Sequence, residues 1–181
     1  MDSCLESALA LINQATEGMS DEQLAWHLEG KWSSANVLEH LSMAFSGTAK
    51  GMSRMLAAGK PDCRPSTAKD ILLLLTVVKA GYFPPGRPAP AMVVPKGISP
   101  QEAMRSIREN LVAVDAAIAQ CEEKFGGRIK ILTHPVLGPL TAREWRRFHF
   151  VHTRHHMKQI RRLRMMAGGG ANGLAVTSSQ A

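Results

Sequence analysis

The stretch "FHFVHTRHHMKQI", Phe148 to Ile160, carries His149, His152, His155 and His156, four of the seven histidines in the chain. On a helix, successive residues advance by about 100°, so these imidazoles can be assigned to faces. With His149 at zero, His156 falls at about 340°, Trp145 and Leu163 at about 320°, His152 at about 300° and Ile160 at about 20°. Three histidines therefore share the apolar stripe, while His155 sits at its edge, at about 240°. The opposite face carries Arg143, Arg146, Arg147, Arg154, Lys158, Arg161 and Arg164, where solvent is expected.

Burying imidazoles among Trp, Ile and Leu costs on the order of 1 to 3 kcal/mol for each polar group left without a partner. A metal ion removes that cost. His152 and His156 stand at i and i+4, the spacing that stacks two side chains on one helical face so that both can ligate one ion. A tetrahedral or octahedral sphere needs a further ligand, usually from another helix. His40 in "NVLEHLSMAF" meets that need, because it lies on the apolar face of its own helix with Val37, Leu41 and Ala44. The predicted ligands are His40, His152 and His156. His149 and His155 are candidates for the shell around them: His149 as an outer partner or a satisfied core histidine, His155 bonded to a carbonyl or facing a partner subunit. Gln159 is placed to orient a ligand. His134, before Pro135, is assigned to turn chemistry, and His27 and Glu39 to the surface, Glu39 lying about 100° around the helix from His40.

These residues need helices to position them, and the pattern supplies helices. Apolar residues recur at three and four rather than at two in most windows. "LESALALINQA" is a first amphipathic helix, and "SDEQLAWHLEG" a second, with Ser20 and Gln23 spaced as a capping box. A long helix opens near Ser33 or Ser34 and runs to about Ala58, closed by Gly59. An inserted helix is expected within Ser66 to Phe83, followed by "PPGRPAPAMVVPKG", whose five prolines forbid helix and predict an extended connection over the surface. Ser99 before Pro100 starts the next long helix. "GGRIKILTHPVLGPL" reads as a loop with one short strand, and Thr141 with Glu144 caps the histidine helix, which is expected to end near Met166. The fold class is all-α, an antiparallel four-helix bundle with an inserted helix and a Pro-rich connection. Residues 1–166 form one domain, and 167–181 a disordered tail with too few large apolar residues to fold.

Composition sets limits. At 181 residues the chain suits one domain with a sizeable core. Its first residues carry two acids and no basic cluster, unlike a secretory signal. The longest apolar run, Ile71 to Val78, is far below the roughly 20 residues that cross a bilayer, so a cytoplasmic location without membrane partners is expected. Cys4, Cys63 and Cys121 match neither a disulfide framework nor a metal knuckle and are expected as reduced, mostly core thiols. The ten methionines are assigned to gap filling.

"WSSANVLEHL", with a Trp before a helix carrying a core His, and "HTRHHMKQI", with HxxHH and a following Gln, resemble the DinB/YfiT-like superfamily of metalloenzymes. With "THPVLGPLTAREWRRFH" the chain looks most like a DinB-like branch of uncharacterised function. The resemblance spans roughly Ser20 to Arg164 in helix order, and its specific motifs lie on the two histidine-bearing helices. It implies a four-helix bundle holding a divalent metal, often nickel or zinc, with iron or manganese as alternatives, on one histidine of the second helix and two of the last. By motif these are His40, His152 and His156. The inserted helix and the Pro-rich connection depart from the pattern, so substrate contacts do not transfer.

Three imidazoles leave a divalent ion with open positions, which marks catalytic rather than closed structural sites. Characterised members of the superfamily include metal-dependent hydrolases and transferases or isomerases that use low-molecular-weight thiols, so the resemblance implies a hydrolase or thiol transferase acting on a small molecule. No general base stands beside the ligands in the sequence. Two other readings compete: a non-enzymatic bundle pinned by a structural metal, and a basic last helix that binds nucleic acid or an acidic surface. Nucleic acid is disfavoured by the nine aromatics and the lack of a recognised motif. Association as a homodimer is compatible with a bundle.

Overall fold

In the computed structural model the described residues are 1–83 and 88–173, with side chains as far as residue 168. The chain is mostly helical. Helix α1 spans Ser3–Thr16, with the Asp2 side chain accepting from the Cys4 amide. Helix α2 is a single turn, Asp21–Ala25, because the Ser20–Gln23 capping box opens it but its Trp26 cap is already extended. Helix α3, Ser34–Ala58, opens on a reciprocal Ser33–Asn36 box and closes at Gly59 in the left-handed region, φ 74°, which only glycine adopts cheaply. Helix α5, Pro100–Phe125, has Ser99 as its N-cap, and α6, Ala142–Gly173, has the Thr141–Glu144 box.

The expected inserted helix is shorter and of mixed pitch. Helix α4 covers Ala68–Leu73 and continues as a π-helical turn, Leu74–Lys79. Inside it the Thr76 hydroxyl donates to the carbonyls of Leu72 and Leu73, competing with the regular ladder, and the Ala80 amide reaches back to Leu75. Asp70 is buried at the first turn. Arg64 grips its carboxylate at 2.5 and 3.0 Å and holds it well below the usual carboxylate range, and the Thr67 amide adds a third bond at 2.8 Å.

Between α5 and α6 the chain forms a hairpin rather than a loop with one strand. Strand β1, Lys130–His134, pairs antiparallel with β2, Gly138–Thr141, with a bulge at Ile131. His134 closes the turn as expected, its Nδ1 accepting from the amides of Val136 and Leu137. Gly138 has φ 75°, and a Cβ there would run into the Asp70 carboxylate, so the hairpin and α4 meet only because this residue is glycine. At Gly51, where α3 faces β1, a Cβ would sit 2.6 Å from a Leu132 methyl, so that side chain would have to shift to admit one.

The core lies between the four long helices, where Leu5, Ile12, Leu38, Leu41, Ile107, Leu111, Ile118, Met157 and Ile160 are all fully buried. Met52 and Met157 fill that interior, in keeping with their assignment. The cysteines correct the expectation: only Cys121 is buried, while Cys4 and Cys63, near helix starts and in the α3–α4 connection, are half-exposed. Helix α6 continues past Met166 to Gly173, with no proline after Pro139 to break it, and residues 174–181 of the expected tail lie outside the described residues. No helix among the described residues is long and apolar enough to cross a membrane.

The predicted solvent face of α6 is also corrected. Arg146, Arg147 and Arg154 are half-buried. Arg146 pairs with Glu122 on α5 at 2.5 Å and approaches Asp2 at 3.7 Å. Arg147 donates to the Val78 carbonyl and Arg154 to that of Gly81, both guanidinium groups lying over the Phe150 ring. The inserted segment thus covers two of the seven cations of that face, Arg147 and Arg154, while Arg146 is held by α5 and the N-terminus. Arg143, Lys158, Arg161 and Arg164 remain exposed.

Candidate metal centre

His40 comes from the second turn of α3, and His152 and His156 from the middle of α6. All three are buried, and each offers one ring nitrogen within 4.8 Å of the other two. The Nε2 of His152 stands at the centre, 3.0 Å from the Nε2 of His156 and 3.2 Å from that of His40. The periodicity of α6 explains half of this arrangement, since residues four apart stack on one face. The packing of α3 against α6 supplies the third ring.

The outward-facing nitrogens are held differently. The Nδ1 of His40 lies 2.7 Å from the Val93 carbonyl, which can only accept, so this nitrogen carries the proton and Nε2 presents a lone pair. The Nδ1 of His156 lies 2.7 Å from the Gln159 side-chain amide, whose oxygen would accept from an Nδ1–H and leave Nε2 with a lone pair there too. His152 has no hydrogen-bond partner at Nδ1 among the described residues. If its proton sits on Nε2, it meets two lone pairs at once and leaves a buried Nδ1 unmatched. If it sits on Nδ1, three lone pairs converge on one point. With the proton on Nδ1 a cation at the convergence would match the Nε2 lone pairs of all three rings, while the buried Nδ1 of His152 has no partner among the described residues in either tautomer. Nitrogens bound at 2.0–2.1 Å to one ion stand roughly 3.0 to 3.4 Å apart for adjacent positions, so the observed separations fit. Burial pushes His40, His152 and His156 below the usual imidazole range, His156 to about 3, and repulsion from neighbouring rings adds to this at His152 and His156, so the rings are neutral and available as ligands.

The remaining candidates separate. Gln159 touches His156, and no other described bond joins it to the cluster. His155 is half-buried and lies tilted by 33° against Phe83 at 4.8 Å, and its ring stands nearly edge-on to His156. No hydrogen bond to a carbonyl holds it among the described residues. His149 lies fully buried one turn below, against Phe45, Trp145 and Phe148. Neither of its nitrogens has a hydrogen-bond partner among the described residues. Burial pushes it down to about 3. His134 is pushed down to about 4 by the same cause, and His27 is exposed as expected.

Glu39 reverses its assignment to the surface. It is 4 % exposed, and its carboxylate accepts the amides of Lys96, Gly97 and Ile98 at 2.8, 2.9 and 3.3 Å. Far from crossing open surface, the end of the Pro-rich connection is bound to α3. The signal available in the sequence was Ala35 and Ser42, small residues at i−4 and i+3 that leave room for a chain to lie over Glu39. Phe83 and Trp32 complete the surroundings: Phe83 stacks on His152 at 5.3 Å and Trp32 tilts against His40 at 5.2 Å. The close approach of the Phe83 segment to α6 depends on Gly81, φ 70°, where a Cβ would strike the Arg154 guanidinium.

The family model described as the DinB superfamily matches residues 5–160, which includes every residue of the cluster. No curated protein and no solved structure gives a match.

Proposed function

This chain belongs to the DinB superfamily, and from that premise we propose that it is a metal-dependent enzyme, a hydrolase or a thiol transferase, with one divalent ion held by His40, His152 and His156. The carrying observation is the convergence of three buried imidazoles from two helices, with the Nε2 of His152 3.0 and 3.2 Å from those of His156 and His40. The chain would hold the ion within a four-helix bundle built from α1, α3, α5 and α6, in the cytoplasm. Zinc and nickel are the favoured identities because imidazole suits both.

An ion with three protein ligands keeps open positions and supplies Lewis acidity that acidifies water or a thiol bound there. The protein's own residues do the rest. The Val93 carbonyl holds the outer nitrogen of His40 and the Gln159 amide that of His156, contacts that would orient both rings and make them better ligands. Phe83 and Trp32 flank the rings with aromatic surface, lowering the local dielectric and limiting water. The substrate expected is a small molecule, with a low-molecular-weight thiol as co-substrate in the transferase case.

Elemental analysis of protein purified without chelator, after growth in medium supplemented with zinc or nickel, should give close to one ion per chain. Absence of stoichiometric metal under those conditions rejects the reading. Metal-loaded protein assayed against ester and amide panels, and against electrophiles with a small thiol, then separates the two activities.

A further inference from the structure

Adjacent residues of α3 hold the same short strap. His40 donates through Nδ1 to the Val93 carbonyl, and Glu39 takes the next available amides, those of Lys96, Gly97 and Ile98. Three successive N–H groups turned on one carboxylate make an anion-binding concavity, and Gly97 permits it with φ 86°. Each of these contacts spans more than fifty residues of sequence, so nothing local in α3 enforces them. A buried carboxylate is costly unless its oxygens are matched, and here the strap is what matches them.

We propose that Glu39 is a positioning residue for His40: by clamping the strap at Lys96 to Ile98 it keeps the Val93 carbonyl against the Nδ1–H of His40 and aims that ring's Nε2 at the cluster. This rests on the metal reading above. The strap spans only Val93 to Ile98, so a carbonyl at one end follows an anchor at the other. An imidazole with Nδ1 released can rotate about its side-chain bonds, and each orientation that turns Nε2 away removes one of three ligands. Strap closure and metal binding are therefore linked, and linkage is reciprocal: closure raises metal affinity by the same factor by which metal favours closure.

The test compares wild type with Glu39→Gln, which keeps the size of the side chain but replaces one acceptor oxygen by a donor. Glu39→Asp, which keeps the charge and shortens the reach, serves if Glu39→Gln does not fold. Three readouts are taken: amide hydrogen exchange at Lys96 to Ile98, the NMR resonance of the His40 Nδ1–H, and zinc affinity by calorimetry. In wild type, zinc should slow exchange at the three amides. The variant should lose their protection, lose the His40 Nδ1–H resonance and bind zinc about 10 to 100-fold more weakly. Loss of amide protection with the resonance and the affinity unchanged makes Glu39 a structural anchor only and overturns the proposal. Unchanged protection overturns it as well. If wild type itself binds no zinc while the amides are protected, the metal reading fails and the positioning role falls with it, an outcome distinct from a variant that binds as wild type does.

Discussion

The Nε2 atoms of His152 and His156 face each other at 3.0 Å across one turn of α6, with their rings at 72°. With the proton of His156 on the Nδ1 that meets the Gln159 side chain at 2.7 Å, its Nε2 presents a lone pair to His152. The Nε2 of His40, at 3.2 Å from His152 on the other side, is likewise a lone pair. The pair thus supplies two of the three imidazoles that converge here, and α3 supplies the third.

Replacing His152, His156 or His40 with Ala is expected to abolish tight zinc or nickel binding, since each change leaves two imidazoles. His155→Ala, whose ring packs at a tilt against Phe83 and has no hydrogen bond to the cluster among the described residues, should retain binding within about 10-fold. Calorimetric titration of the four variants decides it. If His155→Ala loses the metal and His156→Ala keeps it, the ligand set is wrong.

His149 makes stability depend on pH. Its folded pKa is pushed down to about 3, below the ordinary value of about 6.5, so between those values the unfolded chain binds more protons. Stability is therefore complete above about pH 6.5 and is lost as pH falls towards 3, by up to about 1.4 kcal/mol per pH unit. His149→Phe removes this dependence and two unmatched nitrogens. Its acid-unfolding midpoint should move to lower pH, with metal content unchanged, and an unmoved midpoint contradicts the argument.

Phe83 shields the cluster by stacking on His152 and packing at a tilt against His155. In Phe83→Ala, release of bound zinc to excess chelator should speed up by about 10-fold through easier solvent access, with the ligand count unchanged. Release at the wild-type rate would show that this ring plays no part in retaining the ion.

Gly138→Ala should cost about 1 to 3 kcal/mol from its left-handed backbone alone, and more from the collision with Asp70. The second part is separable: combined with Asp70→Ala, the substitution should cost less than in the wild-type background, a coupling that thermal or denaturant unfolding of the four proteins measures. Strict additivity would mean that the close approach carries no energy.

The predicted helices and their caps were legible because capping and periodicity are local. Ser33, Ser99 and Thr141 each serve orphan amides within three residues, and the 3.6-residue repeat alone puts His152 beside His156. His40 was legible as a core-facing residue for the same reason. The hairpin was half-seen, because pairing of β1 with β2 depends on a bulge and a left-handed glycine that leave little mark on composition.

The sequence by itself determined which histidines face inward on each helix, since side-chain direction follows from helical phase. Only the tertiary structure decided what surrounds them: the Val93 carbonyl over His40, the amides on Glu39, the Phe83 ring on His152, and the inserted segment laid along Arg147 and Arg154. All of these join segments far apart in the chain through loops whose path is set by packing. A backbone carbonyl carries no residue-specific signal, and a buried carboxylate reads as a surface residue until the chain that covers it is placed.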